Sequence, residues 1–247
     1  MRKLAGALAC RAGGSRLYGK PLQLLDIERG VSVLDYMIRM LALETSLDAI
    51  VLGVSVGPEN EPFHGAARRH GISAIRGDEE DVLQRLIQCG EAAGATDVFR
   101  VTTESPFTYC EAIAPAWQRH RDRGSDVTHL SDLPDGSGFE IITLETLQRC
   151  HDKGERRHRS ELCTLYVREH QADFKVDVIE PPAEVRRPDV RLTIDYPEDL
   201  IVCRRIYTQF AALAPRIPLR DIVAFWDREP GLKALVEPYL ASVRWYA

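Results

Sequence analysis

Apolar positions along the chain recur in two rhythms, and the alternation between them predicts the elements. A continuous apolar run at residues 4–10 predicts a buried strand. Residues 31–43 follow a helical period, with Val33, Leu34, Met37, Ile38 and Leu41 on one face. The β-branched run at 49–56 predicts a second strand, and 62–70 a helix stopped by Gly71. The same alternation continues with a strand at 72–75, a helix at 78–93, a strand at 97–101, a helix at 111–123 and a strand at 126–130. Such β-α-β-α order predicts a parallel sheet covered by helices, joined by right-handed connections.

The second half is less regular. A Gly-rich turn at 135–138 precedes a strand at 139–142, charged helical stretches, and strands near 174–179 and 190–194. Pro197 opens a helix through residue 210, since proline suits the first helical turn. Residues 218–246 read as packed helix, with Trp226, Trp245 and Tyr246 as packing or dimer-interface residues. No linker and no internal repeat interrupts the pattern.

Composition narrows the classes. The 247 residues carry 32 Lys+Arg and 37 Asp+Glu, a net charge of −5, which argues against a nucleic-acid or membrane-surface protein. The six cysteines, Cys10, Cys89, Cys110, Cys150, Cys163 and Cys203, form no C-x-x-C pair and read as buried hydrophobes in a reducing compartment. The first residues imitate a secretion signal, but Arg11 ends the apolar run without a cleavage site, so a buried first strand and a cytoplasmic protein are expected.

Residues 9–22 are the most informative. They follow the first strand, at the sheet edge where α/β proteins bind ligands. Gly13, Gly14 and Gly19 allow close backbone approach, while Arg11, Arg16 and Lys20 supply three cations with no carboxylate among them. Backbone N–H groups with Arg and Lys suit a polyphosphate; a solvated basic turn is the bland alternative. Pro21 after Lys20 excludes a Walker loop, and the G-x-G-x-x-G fingerprint of a dinucleotide-binding oxidoreductase is missing.

Four stretches together resemble a known family. They are R-x-x-x-S-R-L-x-G-K-P-L at 11–22, R-G-x-x-x-D-V-L-x-R at 76–85, Arg100 to Pro106 against R-x-T-G-D-x-P, and R-L-T-x-D-x-P-E-D at 191–199. The chain resembles the cytidylyltransferases that make CMP-activated acidic sugars, the CMP-Kdo and CMP-acylneuraminate synthetases, and in particular their spore-coat-polysaccharide branch. The resemblance implies an α/β fold: one Rossmann-like (GT-A-like) nucleotidyltransferase domain over 1–247, with a mixed, mostly parallel sheet flanked by helices. It places acceptor binding and dimerisation mainly in 131–190 and a helical segment at 218–247. It also implies CTP as substrate, a small acidic acceptor, Mg²⁺ as cofactor, and a homodimer.

The site follows residue by residue. Arg11, Arg16 and Lys20 hold the triphosphate as the catalytic cations, with Ala9, Gly13, Gly14, Ser15, Arg76, Asp81 and Arg100 completing the nucleotide site. Arg76 and Arg100 could instead pair with acids, and Asp81 with Arg85 four residues on. Mg²⁺ needs only one or two carboxylates at strand ends facing the loop. Glu104 and Asp195 stand there, and the family's metal-binding aspartates fall on both. The alternatives are a solvated loop acid at 104 and a helix N-cap at 195. Glu140 and Glu161, with Arg157 and Arg159 from the basic run 156–159, are the acceptor candidates, although such a run can also be a solvated face.

The chain departs from the family in four places: Thr103-Glu104 for Gly-Asp, Tyr109 for an Asp, Gly138 for an acidic residue, and Leu162 for a His. The last three suggest an unusual acceptor. The four together motivate a rival reading, a degenerate, non-catalytic nucleotide-binding protein; transfer from another NTP is a further alternative, because no single residue separates CTP from other nucleotides.

Overall fold

The computed structural model describes residues 2–14 and 16–240. Its strands are β1 (Leu4–Cys10), β2 (Leu24–Asp26), β3 (Val31–Ser32), β4 (Ala49–Ser55), β5 (Ser73–Gly77), β6 (Asp97–Arg100), β7 (Val127–Leu130), β8 (Glu140–Thr143) and β9 (Val176–Ile179). Its helices are α1 (Val33–Ala42), α2 (Glu61–His70), α3 (Val82–Ala92), α4 (Ile113–Arg123), α5 (Leu144–Lys153), α6 (Leu165–Glu169), α7 (Pro197–Gln209), α8 (Leu219–Arg228) and α9 (Pro230–Val236). Seven strands form one sheet in the order β5-β4-β1-β6-β8-β7-β9, and β2 with β3 makes a small separate ribbon. The neighbours β5, β4, β1 and β6 are parallel, as are β7 and β9, whereas β8 runs antiparallel to both β6 and β7. This is the mixed, mostly parallel Rossmann-like sheet.

The reversal at β8 has a simple cause. No helix intervenes between β7 and β8, and a parallel return needs a crossover of about a dozen residues or more. The chain therefore doubles back and enters the sheet between β6 and β7. The helical faces pack as their spacing predicts: Leu34, Met37, Ile38 and Leu41 of α1 are buried, and Ser32 with Asp35 caps that helix reciprocally. All six cysteines are buried and unbridged. Among the described residues no helix is long and apolar enough to cross a membrane.

Several boundaries differ from expectation. The helix expected from 78 starts at Val82, because Asp78 Oδ1 accepts the Glu80 and Asp81 N–H groups at 2.8 and 2.9 Å and holds a turn there. The stretch expected as a strand at 190–194 is buried in the core at Val190, Leu192 and Ile194, yet among the described residues its strand pairing is limited to one isolated bridge, Asp135 to Arg191. Of the helix expected at 218–246, the described part forms two helices, α8 and α9, broken at Pro230; Trp226 is buried, while residues 241–246, with Trp245 and Tyr246, lie outside the described residues.

The turn at 135–138 fixes where the extended stretch runs. Gly136 has φ +88°, and a Cβ there would stand 2.6 Å from the Thr193 nitrogen. Only glycine tolerates both the angle and that approach. Gly136→Ala should therefore lower stability by about 1–3 kcal/mol. Urea unfolding of the two proteins measures the difference; an unchanged midpoint would remove this turn's role in placing residues 191–195.

Candidate active site

The loop after β1 is fastened at its base. Asn60, buried beyond the end of β4, accepts the Ala12 N–H at 2.8 Å and donates to the Val56 carbonyl at 2.9 Å. The Gly19 N–H closes the loop onto the Ala12 carbonyl at 2.8 Å. Gly14 is needed for close approach, since a Cβ would meet the Leu17 carbonyl oxygen at 2.6 Å, whereas at Gly13 a Cβ would find ordinary room. The Ala9 carbonyl accepts the Thr103 hydroxyl at 3.0 Å, tying β1 to the segment after β6. Ser15 lies outside the described residues.

Below this loop lies Arg85, whose side chain is buried without a carboxylate partner within ion-pair distance among the described residues. Its guanidinium donates to the Cys10 and Gly53 carbonyls at 3.0 and 3.1 Å, at the carboxyl ends of β1 and β4. It does not pair with Asp81.

Two of the loop's three cations converge on one carboxylate. Lys20 Nζ is 2.6 Å and Arg16 Nη2 3.1 Å from Asp195 Oδ1. The second oxygen, Oδ2, accepts from Arg191 Nη2 at 2.9 Å. Lys20 is thus not the solvent-facing cation its loop position suggests; its side chain is 17% exposed. Asp195 is not the helix cap either. Asp199 does that work, accepting the Asp195 and Tyr196 N–H groups at 2.8 and 2.9 Å on one oxygen.

Arg191, 4% exposed, joins three acids: Asp199 at 2.8 and 3.0 Å, Asp135 at 2.8 Å, and Asp195. Burial alone would raise the Asp195 carboxyl, but the hydrogen bonds and charge of Lys20, with Arg191, hold it below its usual range. Asp135 goes the other way: burial raises it, and neighbouring Asp195 and Asp199 add to the rise against Arg191.

Glu104 faces the same point. The Ile194 N–H donates to the Glu104 carbonyl at 3.0 Å, so the backbones carrying Glu104 and Asp195 are pinned together. Burial pushes the Glu104 carboxyl above its ordinary value, and Lys20 opposes that shift. No group of three or more His, Cys, Asp or Glu among the described residues could cage a metal alone. Two hard carboxylates beside a glycine-rich, cationic loop nevertheless fit Mg²⁺, an ion that commonly fills its other positions with water and phosphate oxygens.

A second cluster adjoins the loop. Arg100 Nη1 is 3.2 Å from Glu140, and its Nη2 donates to the Glu161 carbonyl at 2.8 Å. Thr164 donates to the other Glu140 oxygen at 2.7 Å, and the Glu161 carboxylate lies 3.6 Å from Arg11. Glu140, Glu161, Arg100 and Arg11 therefore gather as a group.

Four candidates stand apart from that group, with no hydrogen bond or ion pair to the loop, Glu104 or Asp195 among the described residues. Arg76 is exposed on β5 and pairs with Glu61 and His64 of α2. Asp81 is the N-cap of α3, accepting the Gln84 N–H at 2.8 Å, and it meets His151 at 2.9 Å. Arg157 is taken up by Glu155 and Glu169. Arg159 binds the His151 carbonyl at 3.3 Å and lies 3.8 Å from Asp81. The basic run, with Arg156 on Glu80, thus finds acids among its own neighbours, and Arg156 and Arg159 line a groove of about 580 Å³ beside α3 and α5.

Sequence reasoning missed Asn60, Asp199 and the joining role of Arg191. The spacing of four between 191, 195 and 199 was the available signal for the last two; for Asn60 there was none.

The cytidylyltransferase family model matches residues 7–220. The chain is 29% identical over 237 residues to the spore coat polysaccharide biosynthesis protein SpsF of Bacillus subtilis, covering 93% of this chain and 96% of that protein. An uncharacterised protein of Methanocaldococcus jannaschii is 25% identical over 231 residues, covering 94% and 93%. Among solved structures, a cytidylyltransferase from Leptospira borgpetersenii superposes with TM-score 0.84 at 19% identity, covering 94% of this chain and 97% of that one. A CMP:2-keto-3-deoxy-manno-octonic acid synthetase complexed with CTP superposes with TM-score 0.64 at 18% identity, covering 84% and 99%. The loop after β1, the paired acids at its mouth and the match over most of the chain agree: this protein belongs to the cytidylyltransferase family and is a nucleotidyltransferase.

Proposed function

We propose that the protein transfers CMP from CTP to an acidic sugar or a phosphate- or phosphonate-bearing acceptor, with Mg²⁺, in the synthesis of a surface polysaccharide or related glycoconjugate. The observation that carries this is the meeting of Arg16 and Lys20 on Asp195, beside Glu104. The name of the Bacillus relative supports the polysaccharide setting, and the CTP complex of the synthetase with the same fold supports the nucleotide.

The chemistry is a displacement at the α-phosphorus. An acceptor oxygen forms the new P–O bond as the bond to the β-phosphate oxygen breaks, and pyrophosphate leaves with that electron pair. The acceptor's proton, where it has one, passes to water or a nearby base. Lys20 and Arg16 leave Asp195 for the phosphates and follow the charge that builds on the leaving group. Glu104 and Asp195 would hold Mg²⁺, which when bound neutralises phosphate oxygens. Glu140, held by Thr164 and Arg100, and Glu161 stand where the acceptor would enter beside Arg11. Positioning and charge stabilisation suffice without a covalent enzyme intermediate.

Pyrophosphate release measured over the four common NTPs, with candidate acidic acceptors, tests this reading. Release with CTP alone among the four is expected. Turnover only with UTP or a purine NTP would move the protein to another nucleotide, and CTP binding without turnover of any acceptor would make it a non-catalytic member.

Lys20→Ala should lose about 10²-fold or more in kcat/KM, as when one charge-stabilising donor is removed. Its stability should fall by only about 1–2 kcal/mol, because Asp195 keeps Arg16 and Arg191. Steady-state kinetics with thermal unfolding separates the two effects; near-normal turnover would contradict the assignment.

The raised Glu104 carboxyl gives a pH signature. Protonated Glu104 cannot bind metal, and its carboxylate fraction falls as pH drops through a value above the ordinary glutamate range. The Mg²⁺ concentration for half-maximal activity should rise as pH is lowered across that region. In Glu104→Gln this pH dependence should vanish along with most activity. An unchanged profile in Glu104→Gln would exclude Glu104 from the metal site.

A further inference from the structure

The segment after α9 reaches back to the phosphate loop through two aromatic rings. Arg16 is half-exposed, and its one ion pair among the described residues is to Asp195. Its guanidinium also lies 5.1 Å from the centroid of the Tyr196 ring. Tyr196 in turn stacks on Tyr239, with centroids 4.0 Å apart and ring planes 15° from parallel. Tyr239 ends the short turn Glu237–Tyr239 that follows α9. Helix α9 packs on α7, the helix that begins just after Tyr196, and buries Leu232 and Val236. The turn is therefore held where its ring can reach Tyr196.

We propose that Tyr239 is a positioning residue for the triphosphate: stacking fixes the Tyr196 ring, and the ring holds Arg16 within reach of the phosphates. A long, half-exposed arginine loses much side-chain freedom when it binds an anion. An aromatic face that already restrains it lowers that cost, and a guanidinium keeps its charge while resting on a ring. Asp195 cannot do this alone, because it also serves Lys20 and Arg191. The inference rests on the proposed nucleotide site, but it concerns phosphate binding and not the base.

The test is calorimetric binding of CTP and of inorganic tripolyphosphate, together with steady-state kinetics. Tyr239→Ala should weaken both ligands about three- to tenfold, the scale of one aromatic or cation–π contact. The loss should fall on KM for the nucleotide, with kcat little changed. Tyr239→Phe should bind like the wild type. Tyr239→Leu, which keeps apolar bulk but cannot stack, should behave like Tyr239→Ala and guards against a simple packing defect. In an Arg16→Ala background, Tyr239→Ala should have no further effect. Wild-type affinity for tripolyphosphate in Tyr239→Ala, rescue by Leu, or an equal loss without Arg16 would each overturn the inference. If the wild type binds tripolyphosphate but not CTP, the nucleotide assignment fails while the tripolyphosphate results still decide the role of Tyr239. If it binds neither, both fail.

Discussion

The buried guanidinium of Arg191 is the interaction on which the site depends. It carries a positive charge out of water, which is tolerable only because Asp135, Asp195 and Asp199 surround it. Each partner comes from a different local structure. Asp135 belongs to the turn that Gly136 presses onto residue 193, Asp195 ends the extended stretch, and Asp199 lies in the first turn of α7. Removing one partner from such a buried set typically costs about 3–5 kcal/mol. Arg191 and Asp199 therefore fix the direction in which Asp195 presents its carboxylate, and with it the mouth of the phosphate loop.

That arrangement makes Asp195 a shared resource. Its two oxygens are divided between Arg191 on the inner side and Lys20 with Arg16 on the outer side. On the proposed function, a polyphosphate would draw the outer cations toward itself, and the oxygen they leave would become available to a metal ion. Nucleotide and metal binding would then be linked through one carboxylate, with the buried half of the network left in place. Glu104 stands on the neighbouring segment, tied to residue 194 by a backbone hydrogen bond.

Much of this was legible in the sequence, for physical reasons that differ by region. The first half declares itself because each strand is an apolar run and each helix shows one apolar face, as with Leu34, Met37, Ile38 and Leu41. Glycines and cations after the first strand marked the loop whose Arg16 and Lys20 meet Asp195, and the two acids beyond later extended stretches are carried on backbones joined by a hydrogen bond. What stayed hidden depends on side-chain direction. Asp81 stood open between a ligand and a pair with Arg85, and in the structure it instead caps α3, which starts one residue later. Arg76 points from an edge strand to Glu61, and Arg157 and Arg159 find acids of their own. The antiparallel β8 was also hidden, since an apolar run carries no sign of direction. Residues 190–194 have a strand's alternation but lack a partner strand along their length.

Competition between Lys20 and metal for Asp195 is the central claim, and nucleotide-free Mn²⁺ binding tests it most directly. Mn²⁺ would be titrated into the wild type and Lys20→Ala without nucleotide, with free ion followed by electron paramagnetic resonance. Removing a cation 2.6 Å from the carboxylate should tighten Mn²⁺ binding by roughly tenfold, even as the same change weakens CTP binding. Equal or weaker Mn²⁺ affinity in Lys20→Ala would contradict the account.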